Sequence, residues 1–315
     1  MIVTLAGGVG GARFSDGVAQ IARAENLAVI VNTADDFDLY GMRICPDLDT
    51  VLYNLAGIAD PVNGWGIADD TRATLDAIAA LGEEPWFLLG DRDFASHILR
   101  TAWLNKDIPL TSVTYFLRLR LGVGSQILPM TDERVATIIE TAEGPLNFQE
   151  YFVRRRQTDE VTGVHFEGIE SARPTEVALE ALAEAELLLI APSNPIVSIG
   201  PILAIDAYRQ ALVNRNAPSI AVSPIVAGKA LKGPADRMLT SLGHESSALG
   251  VARIYAGLID GFVIDRADSD LAAAIESLGM TVLVTDAVMH DGPDRGRFAA
   301  EVLTFGAELR ARVPA

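Results

Sequence analysis

The chain has 315 residues, half of them apolar, with 6% aromatics, a single cysteine and a formal net charge of -17. That length and apolar content allow one large or two modest domains around a substantial core. The acidic balance excludes nucleic acid or an anionic membrane surface as the main partner.

Residues 3–5 read as a short buried strand, followed by Gly7, Gly8, Gly10 and Gly11. Residues 12–22 then carry Phe14, Val18 and Ile21 at helical spacing. Glycines at a strand-to-helix turn let backbone N–H groups come close to a ligand, because no Cβ intervenes. The helix start adds unpaired donors and the positive end of a dipole, which suits a phosphate. Arg13, expected in the first helical turn, adds a forked set of donors. The turn is neither a Walker A loop, which ends Gly-Lys-Ser/Thr, nor a dinucleotide fingerprint, whose third glycine is here Arg13. The plain alternative is a tight turn that binds nothing.

A second strand over 28–31 ends in Asn32, Thr33, Ala34, Asp35 and Asp36. Polar residues at the carboxyl end of a parallel strand face the crevice where such sheets bind ligands. Two adjacent carboxylates, with Asp38 after them, suit a hard cation. Asp47 is placed to cap a helix over 48–56, with Asp49 in its first turn. Cys45, lacking a histidine nearby in sequence, reads as packing, and a lone cysteine fits a reduced, cytoplasmic setting. No signal peptide is apparent at the start. Trp65 lies between Gly64 and Gly66 in a loop, positioned to stack on a flat ligand or to cover a helix end.

Helical patterns follow over 71–81, 94–104 and 110–121, with a strand near 135–139. Residues 71–156 therefore read as a mainly helical insertion. Arg92 sits between Asp91 and Asp93 at a helix start, where a cation is mildly unfavourable. It implies a local salt bridge or a ligand contact. The α/β pattern returns with a strand over 187–190, ending in Pro192, Ser193, Asn194 and Pro195. The uncharged run 187–205 is long, but its prolines make it a strand plus loop and not a membrane helix. Further strands are expected over 219–222, 260–265 and 282–284, and a closing helix over 297–312. Lys229 and Lys232 are surface charge by default, with contact to a diphosphate as the alternative.

Five segments, in order, resemble the phospholactate transferases of deazaflavin coenzyme synthesis (CofD/FbiA). They are Leu5-Ala6-Gly7-Gly8-Val9-Gly10-Gly11-Ala12-Arg13, Cys45-Pro46-Asp47-Leu48-Asp49-Thr50, Gly90-Asp91-Arg92-Asp93, Ala191-Pro192-Ser193-Asn194-Pro195 and Ser223-Pro224-Ile225. The resemblance implies an α/β fold, with a Rossmann-like three-layer parallel sheet from residues 1–70 and 157–315. It makes 71–156 a helical insertion that helps hold the acceptor. It also implies transfer of a phosphorylated three-carbon acid (phospholactate, phosphoenolpyruvate or phosphoglycerate). The donor would be a guanosine diphosphate ester, the acceptor the ribityl hydroxyl of the deazaflavin FO, and the released product GMP. Mg²⁺ dependence and a homodimer come with it.

On that reading Gly8, Gly10, Gly11 and Arg13 cradle the donor phosphates, and Ser193, Asn194 and Ser198 contact the nucleotide. Asp36 and Asp49 hold Mg²⁺. Asp49 is also the catalytic group toward the acceptor, which Arg92 and Trp65 help to bind. Two rivals remain. One is a non-catalytic UDP-sugar-binding regulator of the gluconeogenesis-factor family, which shares the glycine-loop fold. The other is an NAD(P)-dependent oxidoreductase, against which Arg13 counts.

Overall fold

The computed structural model describes residues 1–312. Its centre is a seven-stranded sheet. In chain order the strands are β1 (Ile2–Ala6), β2 (Leu27–Val31), β3 (Gln126–Pro129), β4 (Leu187–Ile190), β5 (Ser219–Val222), β6 (Gly261–Asp265) and β7 (Thr281–Thr285). Every neighbouring pair is parallel. The order across the sheet is β3-β2-β1-β4-β5-β6-β7. Strand order thus reverses between β1 and β4, the switch point where α/β sheets open a crevice at their carboxyl edge.

The β2 sequence Leu-Ala-Val-Ile-Val is apolar throughout because both of its faces are covered. Ala28 and Ile30 enter one hydrophobic core, while Leu27, Val29 and Val31 enter the other. Helices therefore pack on both faces, and the architecture is a Rossmann-like three-layer α/β sandwich. The C-terminal helix Gly292–Arg312 lies against the first helix, α1 (Gly8–Ile21), with the Phe14 and Phe298 rings 5.7 Å apart.

Between β2 and β3 the chain forms a hairpin (Phe37–Leu39 with Met42–Ile44) and four helices. These are α2 (Pro46–Leu55), α3 (Ala73–Ala80), α4 (Asp91–Leu104) and α5 (Leu110–Arg120). Inside the stretch expected as an insertion, β3 pairs with β2 as the edge of the central sheet. It is four residues ending in proline, too short to show a period, and proline is tolerated on an edge. Next, Ala136–Thr141 pairs antiparallel with both Gly144–Asn147 and Val161–Glu167. One turn of π-helix, Glu150–Arg154, follows the second of these strands.

The uncharged run 187–205 is β4, a loop and the short helix Gly200–Ala204. No helix among the described residues is long and apolar enough to cross a membrane. Between β6 and β7 the chain forms a 3₁₀ segment, Arg266–Leu271, joined to the short helix Ala272–Glu276.

Candidate active site

A cavity of about 670 Å³ opens at the switch point, within the range of small-molecule sites. Its floor is the turn from β1 into α1 (Gly7, Gly8, Val9, Gly10) and the loop after β4 (Pro192, Ser193, Asn194, Val197, Ser198).

Helix α1 begins at Gly8, not at Ala12, so Gly10 and Gly11 lie inside its first turn and Arg13 inside its second. Tertiary packing overrides glycine's poor helix propensity here. A Cβ on Gly10 would come within 2.3 Å of the Pro192 carbonyl oxygen, and one on Gly11 within 2.6 Å of Ser193 Oγ. Only Gly8 has a left-handed backbone, at φ +63°. The glycines thus let α1 and the 192–193 loop touch. Gly8 and Gly10 line the cavity, whereas Gly11 is buried against Ser193 and does not. Ser193 also departs from its expected role. Its hydroxyl donates to the Gly7 carbonyl at 2.8 Å and accepts from the Gly7 N–H at 3.1 Å. Asn194 Oδ1 accepts from the Ile196 N–H at 2.9 Å, which fixes the same loop. Both residues line the cavity, but their side chains chiefly hold its shape.

Asp47 does not cap α2. Cys45 occupies the N-cap position, and the Asp47 carboxylate turns toward the glycine turn, accepting from Asn32 Nδ2 at 3.0 Å. Asp35 reaches the same space, and both residues line the cavity. Burial and their mutual repulsion hold Asp35 far above the usual carboxylate range. Burial likewise raises Asp47, opposed by the Asn32 amide and the Gly8 N–H. Asp35 Oδ1 is buried with no hydrogen-bond partner among the described residues.

The expected metal pair, Asp36 and Asp49, is not assembled. Asp36 turns away to Arg43, 3.4 Å off, and burial lifts its pKa to about 7 despite that cation. Asp49 lines the cavity, but Arg100 engages both its oxygens in a buried fork. Each of these carboxylates already has a cation, and Asp38 has Arg134 at 2.8 and 2.9 Å. Among the described residues, Asp35 and Asp47 have none.

Helix α4 forms the opposite wall. Arg92 is not among the lining residues; its guanidinium bonds Asp70 and the Ala68 carbonyl, tying down the loop ahead of α3. The sequence-adjacent Asp93 does line the cavity, and so do His97 and Tyr53. Asp93 Oδ2 accepts from the Gly90 N–H at 3.2 Å, while Oδ1 is buried without a partner among the described residues. Burial raises its pKa to about 6, with Asp49 and Asp70 adding to the rise and the Gly90 N–H and the Tyr53 hydroxyl opposing it.

His97 Nδ1 lies 3.2 Å from Arg100 Nη1, and arginine can only donate. His97 therefore carries its proton on Nε2. Burial, with Arg100 assisting and Asp49 opposing, lowers its pKa to about 4, so the ring is neutral near pH 7.

Trp65 lines the cavity, held by Gly64 and Gly66 at φ +79° and +71°. Trp86, Phe87, Phe148 and Phe152 complete an aromatic wall, with Phe148 and Phe152 stacked 5.4 Å apart. At the rim, Arg13 Nη2 bonds the Pro61 carbonyl at 3.2 Å, and Lys232 Nζ bonds the Asn63 carbonyl at 2.6 Å. The Lys232 pKa is lowered by burial first and then by Arg13, so these cations share one patch in an acidic protein. Sequence reasoning passed over Asp93, His97, Tyr53 and the Phe148/Phe152 pair as site residues. The visible signals were the Gly90-Asp91-Arg92-Asp93 segment, which contains Asp93, and the i, i+4 spacing of the two phenylalanines.

The fold and site define a Rossmann-like protein whose switch-point cavity sets amide donors, cations and buried carboxylates against an aromatic wall. Residues 2–292 match the family described as 2-phospho-L-lactate transferase CofD. A phosphoenolpyruvate transferase of Streptomyces coelicolor is 42% identical, over 98% of this chain and 99% of that one. The 2-phospho-L-lactate transferase of Methanosarcina mazei is 38% identical, over 96% and 99%. The chain belongs to the CofD family and is a transferase. A crystal structure of a UPF0052-family protein from Bacillus halodurans superposes with a TM-score of 0.62, covering 96% of this chain and 98% of that one. Its 14% identity speaks for the fold alone.

Proposed function

We propose that the protein moves a phosphorylated three-carbon acid from a guanosine diphosphate ester to the ribityl hydroxyl of FO, releasing GMP, in deazaflavin coenzyme synthesis. The observation that carries this reading is a single cavity holding both halves of such a reaction. One end offers amide donors for phosphates, and the other offers aromatic faces for a flat tricycle. Phosphoenolpyruvate is the favoured acid, because the Streptomyces relative named for it is 42% identical against 38% for the Methanosarcina 2-phospho-L-lactate transferase.

In this reading the helix start at Gly8 and Gly10, with Arg13 and Lys232, binds the diphosphate. Binding phosphates by amides and forked cations lets positioning and charge stabilisation supply most of the catalysis. Ser198 and Asn194 border the nucleotide, and Trp65 stacks on the deazaflavin ring. Arg92 acts indirectly, by fixing the loop that carries Trp65.

Asp35 and Asp47 fit a Mg²⁺ ion: two adjacent buried carboxylates without a cation, one with an unpartnered oxygen. Mg²⁺ takes one or two carboxylates and completes its shell with phosphate and water. No group of three or more potential metal-ligating side chains occurs among the described residues. When bound, the ion supplies charge neutralisation for the diphosphate. Asp49, clamped by Arg100, holds α2 and α4 together beside the acceptor.

The test is incubation with FO, Mg²⁺ and each of the three guanosine diphospho-acids, with products identified by mass. FO extended by a phosphoenolpyruvyl group, together with GMP, is the expected outcome. Absence of an FO adduct from all three donors overturns the reading, and tight binding of a UDP-sugar without turnover favours the regulator.

A further inference from the structure

Helices α2 and α4 both line the cavity, and three buried polar atoms on them lack a well-formed hydrogen bond among the described residues: Asp93 Oδ1, the Tyr53 hydroxyl, which lies near Asp93 and Ser96, and His97 Nε2. All three residues line the cavity and are at most 6% exposed. Buried polar atoms are nearly always paired, so three orphans in one place call for an absent partner.

Their chemistry defines that partner. The His97 tautomer fixed by Arg100 makes Nε2–H a donor. Tyr53 keeps its proton, because burial and then Asp49 and Asp93 push its pKa up. Asp93 Oδ1 is an acceptor. A group able to satisfy two donors and an acceptor must both donate and accept. Neither a phosphate, which would repel Asp93, nor an alkyl chain does so. A chain of neighbouring hydroxyls does.

We propose that Asp93, Tyr53 and His97 cradle the acceptor's polyol chain, and that Asp93 takes the proton of the hydroxyl that attacks phosphorus. The assignment rests on the transferase reading and replaces Asp49 as the base. Both Asp49 oxygens are held by Arg100, so protonating Asp49 would break a buried fork. Asp93 has one oxygen fixed by the Gly90 N–H, and among the described residues no cation holds the other, which only the Tyr53 hydroxyl approaches.

In the step, the hydroxyl oxygen forms a bond to the donor phosphorus that carries the three-carbon acid. The bond from that phosphorus to the bridging oxygen breaks, and its electron pair leaves with GMP. The hydroxyl proton passes to Asp93 Oδ1 and then to solvent. The charged and titratable groups facing Asp93 are Asp49 and Tyr53 from α2 and Asp70 from the loop before α3.

The test compares wild type, Asp93→Asn, Tyr53→Phe and His97→Ala in FO binding by equilibrium dialysis and in steady-state transfer. Asparagine keeps an oxygen for the Gly90 N–H, so thermal stability is expected to persist. The predicted kcat loss for Asp93→Asn is about 100-fold or more, with KM for FO changed only a few-fold. Wild-type kcat is expected to fall on acidification through about pH 6, and the residual rate of Asp93→Asn to lack that limb. Tyr53→Phe and His97→Ala are each expected to weaken FO binding about 5- to 10-fold.

An Asp93→Asn enzyme within about 3-fold of wild-type kcat, or one retaining the acid limb, overturns the base assignment while leaving the transferase intact. Unchanged FO affinity in both other variants overturns the cradle. A wild type that makes no FO adduct removes the transferase reading and the proposal with it.

Discussion

At the scale of single residues, carboxylates divide by whether they own a cation. Asp36, Asp38 and Asp49 have arginines, whereas Asp35, Asp47 and Asp93 face the cavity without one. Removing one partner of a buried pair strands the other charge. Arg100→Met is therefore expected to destabilise the protein by about 3–5 kcal/mol in urea unfolding. Lysine is a poor replacement, since it cannot reproduce the fork.

The raised carboxylates also set a pH dependence. Asp36 titrates at about 7 and Asp93 at about 6 in the folded protein, against about 3.9 for an unfolded aspartate. Between those values the folded state binds more protons than the unfolded one. Asp47 and Asp35 add to this, while His97, lowered to about 4, opposes it up to about pH 6.5, so the stability of the metal-free protein is predicted to fall overall as pH rises from about 4 to about 7. At the proposed site Mg²⁺ would require deprotonated Asp35 and Asp47, so it is expected to raise the melting temperature more at pH 7.5 than at pH 5. Melting scans with and without Mg²⁺ at the two pH values check both statements. An equal Mg²⁺ effect at both pH values counts against this metal site.

At the scale of elements, glycine is what lets the site close. A methyl group at Gly10 meets the Pro192 carbonyl, and neither backbone can swing aside cheaply. Gly10→Ala is predicted to lower stability by about 1–3 kcal/mol and to weaken guanine-nucleotide binding, measured by calorimetry. Gly57→Ala makes a useful control. Its Cβ meets nothing within 4 Å, so only the strain of its left-handed φ remains.

This is also where the sequence was legible and where it was not. The β1 turn, the polar end of β2 and the loop after β4 were readable, because strand, turn chemistry and helix lie within a dozen residues of each other. The start of α1 was misplaced because local propensity argues against a glycine-rich first turn, and only the distant Pro192 loop explains it. The acidic motifs were visible, but which carboxylates meet arginines was not. Arg43 and Arg100 are brought to Asp36 and Asp49 by a hairpin and by a helix some 50 residues away in sequence. Asp93 was hidden inside a capping box, and its free oxygen shows only once α2 stands opposite.

At the scale of the whole molecule, an acidic chain concentrates its few useful cations at one rim. The proposed diphosphate binding would then be local and short-ranged, because the net charge of -17 opposes it at a distance. The outer faces of α4 and α5 tell a second story. Ile98, Leu99, Tyr115, Phe116 and Leu119 are each between 46% and 54% exposed, an unusual apolar cluster on such a charged surface. We propose this face as the contact of the homodimer that the family resemblance implies. On that reading the wild type is predicted to sediment as a dimer and Leu119→Asp to shift it toward monomer. A wild type that sediments as a monomer at micromolar concentration contradicts the assignment.

The central claim is that one switch-point cavity holds donor phosphates and acceptor polyol side by side. A crystal structure with guanine nucleotide, Mg²⁺ and FO tests it most directly. The account predicts phosphates at Gly8 and Gly10 with the ion on Asp35 and Asp47, the tricycle against Trp65, and ribityl hydroxyls on Asp93, Tyr53 and His97. A nucleotide bound away from the β1 turn, or FO bound outside the α2–α4 gap, contradicts it.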